Sequence, residues 1–81
     1  MVHHLKILPE YYRAVISGDK TFEVRFNDRE FKRGDFVHLL EYDPNICGGY
    51  TGRYFRGIIT YVLTDEKFCK SGFCVFSFKA L

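Results

Sequence analysis

The clearest regularity along this 81-residue chain is a period of two. In Thr21-Phe22-Glu23-Val24-Arg25-Phe26-Asn27 the set Phe22, Val24 and Phe26 alternates with Thr21, Glu23, Arg25 and Asn27, as in a β-strand with one apolar and one polar face. The phenylalanines are expected to pack inward. An earlier strand, His3 to Leu8, places His3, Leu5 and Ile7 on one face and ends at Pro9. Pro9 and Glu10 then open a short helix, Glu10 to Ser17, because proline suits a first helical turn and a carboxylate suits its positive end. Tyr12, Val15 and Ile16 fall at helical spacing for the core, and Gly18 is placed to close the helix in a left-handed conformation. Three more strands follow: Phe36 to Tyr42, Arg53 to Leu63 and Phe73 to Lys79. Asn27-Asp28-Arg29 and Lys32-Arg33-Gly34-Asp35 read as turns, Asp43 to Gly52 as a loop with Pro44 and three glycines, and Thr64 to Gly72 as a polar connection.

Five strands with one helix after the first predict an α/β fold of the α+β kind, a mixed sheet curling toward a barrel, since closure removes exposed edges. The length allows one core, hence a single domain over residues 1–81. A composition 47% hydrophobic and 19% aromatic favours a compact sheet over a helical bundle. The formal charge of +2 is too small to indicate a polyanionic partner by itself. From Tyr50 onward, however, Arg53, Arg56, Lys67, Lys70 and Lys79 face only Asp65 and Glu66. Cys47, Cys69 and Cys74 are odd in number with no CxxC pair, so reduced thiols are expected, with no disulfide framework, metal or cofactor. Without a leader or a run of about 18 uncharged apolar residues, the expected location is the cytoplasm, with no membrane partner.

Candidate chemistry is concentrated in one stretch: Lys20, Glu23, Arg25, Asn27, Asp28 and Arg29 lie within ten residues. Spacing leaves two readings open. The group is either an ordinary solvated strand face or the lining of a cleft in which Lys20 and Arg25 hold phosphate while Glu23 and Asn27 read base edges. Tyr42, Tyr50 and Tyr54 flank the glycine-rich loop, where rings either stack on bases or pack in the core. The neighbours His3 and His4 point to opposite faces of a strand and do not share an ion readily; His3 suits a hydrogen-bonded core position.

Gly18-x-Lys20-Thr21-x-Glu23-x-Arg25, with Asn27-Asp28-Arg29 and Phe31-Lys32-Arg33-Gly34-Asp35, resembles the signature of the ASCH superfamily, and more closely a small bacterial and phage branch of it. The His3-x-Leu5-Lys6 opening, the Glu41-Tyr42-Asp43 strand end and the Tyr50-Thr51-Gly52-Arg53 turn extend the resemblance over nearly the whole chain. It implies a PUA-like β-barrel with a helix at its mouth, and a cleft that takes RNA or a modified nucleoside. The residues it implies for that cleft are Lys20, Glu23, Arg25 and Asn27; with Arg29 and Arg53 as further phosphate contacts and Tyr50 as a stacking ring, seven residues are expected to bind ligand.

One branch of the superfamily hydrolyses acylated cytidine with a motif Lys, a Thr three residues later and a later Glu. Here Lys20 matches, but the third position on is Glu23, and the nearest hydroxyl is Thr21. Lys and Arg beside Glu23 also disfavour it as a general base near neutrality. The expectation is an RNA- or nucleotide-binding module. The alternatives are a small amidohydrolase of a modified nucleoside acting through Lys20, Thr21 and Glu23, and a protein-interaction module using a sheet edge.

Overall fold

The computed structural model describes residues 1–81. Its elements run β1 (Val2–Ile7), α1 (Pro9–Ser17), β2 (Phe22–Phe26), β3 (Phe36–Tyr42), β4 (Tyr50–Leu63) and β5 (Phe73–Ala80). The strands form one sheet in the order β1-β3-β4-β5-β2, in which β1 runs parallel to β3 and every other pairing is antiparallel. This mixed sheet curls into a half-barrel, with β1 and β2 as its two free edges. Bulges in β4 pairing, between Leu40 and Tyr42 on one side and between Ile59 and Tyr61 on the other, add to the bend.

Alternation fixes the interior. His3, Leu5 and Ile7 from β1, Val37, Leu39 and Glu41 from β3, and Cys74, Phe76 and Phe78 from β5 are all buried. Helix α1 begins with Pro9 in its first turn and packs Tyr12 and Val15 onto this surface, but Ile16 stays exposed. It ends where Gly18, at φ 85°, donates its N–H to the Val15 carbonyl, a conformation costly for a side-chain-bearing residue. Phe31, from the connection after β2, enters the core between His3 and Phe76, with ring centroids 4.7 and 4.9 Å away.

Strand β2 is turned over relative to the sequence expectation. Phe22, Val24 and Phe26 lie on the outer surface, 44, 56 and 57% exposed, while Glu23 points inward at 5% and Arg25 is half-buried. The period of two is correct; the assignment of its faces is not. Register gives the reason: Glu23 pairs with Phe76 and Arg25 with Cys74, both interior, whereas Val24 pairs with Val75 and Phe26 with Phe73 on the outside. The outer residues bury part of their surface against one another, as in the edge-to-face contact of Phe26 with Phe73 at 5.5 Å.

Candidate functional site

The inward turn of β2 brings its charged residues to the mouth of the half-barrel. Glu23 receives two cations at once: Lys20 Nζ on Oε1 and Arg25 Nε on Oε2, the latter at 2.8 Å. Lys20 also donates to the Phe22 carbonyl at 2.8 Å, fixing the turn from α1 into β2. Arg25 reaches across the gap between the sheet edges to donate to the Lys6 carbonyl of β1, and Arg29 donates to the His4 carbonyl at 3.0 Å. Two arginines thus bridge the seam with side-chain hydrogen bonds where backbone pairing is absent, occupying edge carbonyls that would otherwise be open.

A cleft of about 470 Å³ opens along this seam, within the range of small-ligand sites. Lys6, Lys20 and Arg25 supply three cations against one carboxylate, Glu23. Ile7, Leu8 and Val24 give it apolar wall, and Tyr11 and Phe22 contribute rings. Lys20 Nζ lies 5.1 Å from the Phe22 ring centre and 5.9 Å from that of Tyr11. Donor capacity remains after the internal bonds are counted. An ammonium has three N–H groups and a guanidinium five, so Lys20 keeps one and Arg25 keeps several. Lys6 Nζ has no hydrogen-bond or ion-pair partner and rests 4.4 Å from the Tyr42 ring centre. A second hollow of about 300 Å³ adjoins the first, sharing Lys6 and Arg25 and adding His4, Arg29, Leu40 and Tyr50.

Of the seven residues expected to bind ligand, the structure brings Lys20, Glu23 and Arg25 into the larger cleft and Arg25, Arg29 and Tyr50 into the smaller. Asn27 is taken up locally: its Oδ1 accepts the Phe31 N–H at 3.0 Å and closes the turn that holds Glu30 at φ 49°. Arg53 lies outside both hollows and donates from Nε to Glu41 at 2.7 Å, beside the Thr51 hydroxyl at 2.6 Å. Glu41 is 2% exposed, and the Thr51 hydrogen bond is the main influence holding its carboxyl below the ordinary range; burial opposes it, and Arg53 and Arg13 assist. Thr21 is exposed and does not line the cleft, so Lys20 and Glu23 meet there without that hydroxyl.

His3 is a buried structural residue, with Nε2 2.8 Å from Asp35 Oδ2. Burial pushes the Asp35 carboxyl up, but the hydrogen bonds from His3 and the Lys32 N–H, with the charges of the N-terminus and His3, outweigh it and hold it low. Cys47 is exposed, Cys69 and Cys74 are buried, and all three are free thiols; burial, then the neighbouring Cys69, pushes Cys74 up. Lys6 and Tyr11 were not foreseen as site residues. They come from β1 and α1 and meet β2 only when the sheet curls, so no spacing within the motif announces them.

A curled five-stranded half-barrel with a cation-lined seam between its edge strands is the structural class these features define. The chain belongs to the family described as "Domain of unknown function (DUF3850)", whose model matches residues 2–78. It is similar to the "Uncharacterized 12.9 kDa protein in GpA 3'region" of Escherichia phage P2, with 36% identity over 61 residues, which are 75% of this chain and 53% of that protein. The chain therefore spans about half the length of that relative. No helix is long and apolar enough to cross a membrane.

Proposed function

We propose that this domain is an RNA- or nucleotide-binding module of the ASCH type with a PUA-like barrel, acting in the cytoplasm, and that the seam cleft takes a nucleotide unit. One observation carries the reading: three cations and two aromatic rings converge on a single cleft of about 470 Å³ that holds one carboxylate. Phosphate is the ligand group such cations hold best, since charge-assisted hydrogen bonds are about twice as strong as neutral ones. The rings of Tyr11 and Phe22 offer a face to a base, a contact worth about 1–3 kcal/mol per base. Glu23 has a double role in this reading: its carboxylate orients Lys20 and Arg25 toward the opening and leaves each with donors to spare.

The test uses Lys6, because its ammonium has no hydrogen-bond or ion-pair partner within the protein to lose, only the face of the Tyr42 ring. Lys6→Gln should change stability by no more than about 0.5 kcal/mol, as for ordinary surface changes. Calorimetric titration with uridine 5′-monophosphate should show affinity reduced by about tenfold or more, the loss of one charged hydrogen bond. Equal binding of uridine and its monophosphate, or unchanged binding by Lys6→Gln, overturns the assignment of the cations to phosphate. A second reading, a protein-interaction module, is favoured by the exposure of Phe22, Val24 and Phe26 on an edge strand, an arrangement suited to strand addition.

A further inference from the structure

The outer face of β1, β3 and the first half of β4 carries a second pattern, which shares Lys6 with the seam cleft. Register sets its side chains in rows. His4, His38 and Arg56 form one row, and Lys6, Leu40 and Tyr54 the next. Tyr42 and Tyr50 form the third, with ring centres 5.1 Å apart. The His4 and His38 rings meet edge to face at 4.7 Å, and Lys6 Nζ lies above Tyr42. Tyr50 and Tyr54 are half-exposed. Together β1, β3 and β4 contain a single carboxylate, Glu41, and it is buried on the opposite face. The acids nearest these strands in sequence lie outside them: Asp35, bound to His3, and Asp43 border β3, Glu10 follows β1 and Asp65 follows β4.

We propose that this face is a binding surface for single-stranded nucleic acid, which continues from the seam cleft over β1 and β3 to Tyr54 and Arg56. The proposal rests on the nucleotide reading of the cleft for its starting point, and on the rows for its path. The hollow lined by His4, Lys6, Arg25, Arg29, Leu40 and Tyr50 joins the two, since Lys6 and Arg25 also line the cleft. Successive rows lie about 7 Å apart along a strand, and sheets of similar extent stack two or three bases on exposed rings. Duplex is disfavoured because its bases are already stacked, leaving Tyr50 and Tyr54 without partners. An anionic membrane surface answers the charge but gives no role to rings standing in register on a sheet.

The experiment compares uridine monophosphate, hexauridylate, a double-stranded RNA of equal charge and vesicles of phosphatidylserine and phosphatidylcholine, using fluorescence anisotropy and co-sedimentation. Tyr54→Ala combined with Arg56→Ala should weaken hexauridylate binding about tenfold or more and leave monophosphate binding unchanged, because neither residue lines the cleft. The slope of log affinity against log salt should shrink by about 0.7 for the Arg56 phosphate contact. Tyr54→Phe should restore binding, and its thermal midpoint should match the parent's. Hexauridylate binding lost in the double variant while monophosphate fails to bind at all supports the face and removes the cleft reading. Undiminished hexauridylate binding by the double variant, hexauridylate bound no tighter than monophosphate, or duplex or vesicles bound at least as tightly as hexauridylate each overturns the proposal.

Discussion

Replacing Glu23 by Ala removes the one anion between two cations. In the folded protein Lys20 and Arg25 converge on its two oxygens, and the Glu23 side chain is 6% exposed. Breaking a buried pair by deleting one partner costs about 3–5 kcal/mol, largely because the other charge is left uncompensated. Here two features reduce the loss. The Lys20 and Arg25 side chains keep 18 and 25% of their exposure, and each retains a backbone acceptor, the Phe22 and Lys6 carbonyls. About 2–3 kcal/mol is the expected destabilisation. For a domain of this size, each kcal/mol shifts the melting temperature by about 4–8 °C, so the midpoint should fall by about 8–24 °C. Urea unfolding monitored by tyrosine fluorescence and circular dichroism measures both stability and the slope with denaturant. Glu23→Gln should fall between parent and Ala, since its amide oxygen accepts from one cation while its NH₂ faces the other. A Glu23→Ala stability within about 0.5 kcal/mol of the parent refutes the reasoning, because it places the carboxylate in water as an ordinary surface group.

The inverted face of β2 predicts that Phe22→Thr and Val24→Thr each cost less than about 1 kcal/mol, whereas Phe76→Ala costs about 3–5 kcal/mol by urea unfolding; the reverse ranking returns the phenylalanines to the core. Gly49→Ala should destabilise by about 2 kcal/mol or more, as φ is 79° and an added Cβ collides with the Tyr42 ring, whereas at Gly18 (φ 85°) a Cβ has open space and only the smaller backbone cost applies. Acid should unfold the domain through Asp35 and Glu41, whose folded carboxyls titrate below their ordinary values of 3.8 and 4.5: the stability they add is complete above those values and is lost as pH falls through the lower, folded ones. Asp35→Asn with Glu41→Gln should flatten stability between about pH 5 and 2, and an unchanged acid limb contradicts the assignment.

Much of the fold was legible because alternation and turn chemistry are local. Each of the five strands lies within a few residues of its expected position, and the proline and glycine bounding α1 act as anticipated. The face of β2 was not legible, since a period of two separates two sets of side chains without stating which is inside. That depends on pairing with Cys74 and Phe76 some fifty residues away. The same distinction divides the site. Lys20, Glu23 and Arg25 meet through spacings of two and three residues, which a sequence displays. The Arg53 bond to Glu41 depends on register across the β3–β4 bulge, and the approach of Lys6 to Arg25 depends on curling of the whole sheet. Asn27 was drawn toward ligand by its neighbours, yet its side chain completes a turn, a frequent use of this residue type.

The most direct test of a nucleotide site in the seam is a residue-resolved titration of the ¹⁵N-labelled protein with uridine monophosphate, followed by amide and lysine side-chain resonances. Saturable shifts are expected, confined to Lys6, Ile7, Leu8, Tyr11 and the Lys20 to Arg25 segment, the elements that meet at the cleft. Shifts absent at millimolar nucleotide, or gathered instead on the outer residues Phe26, Phe73 and Val75, contradict it.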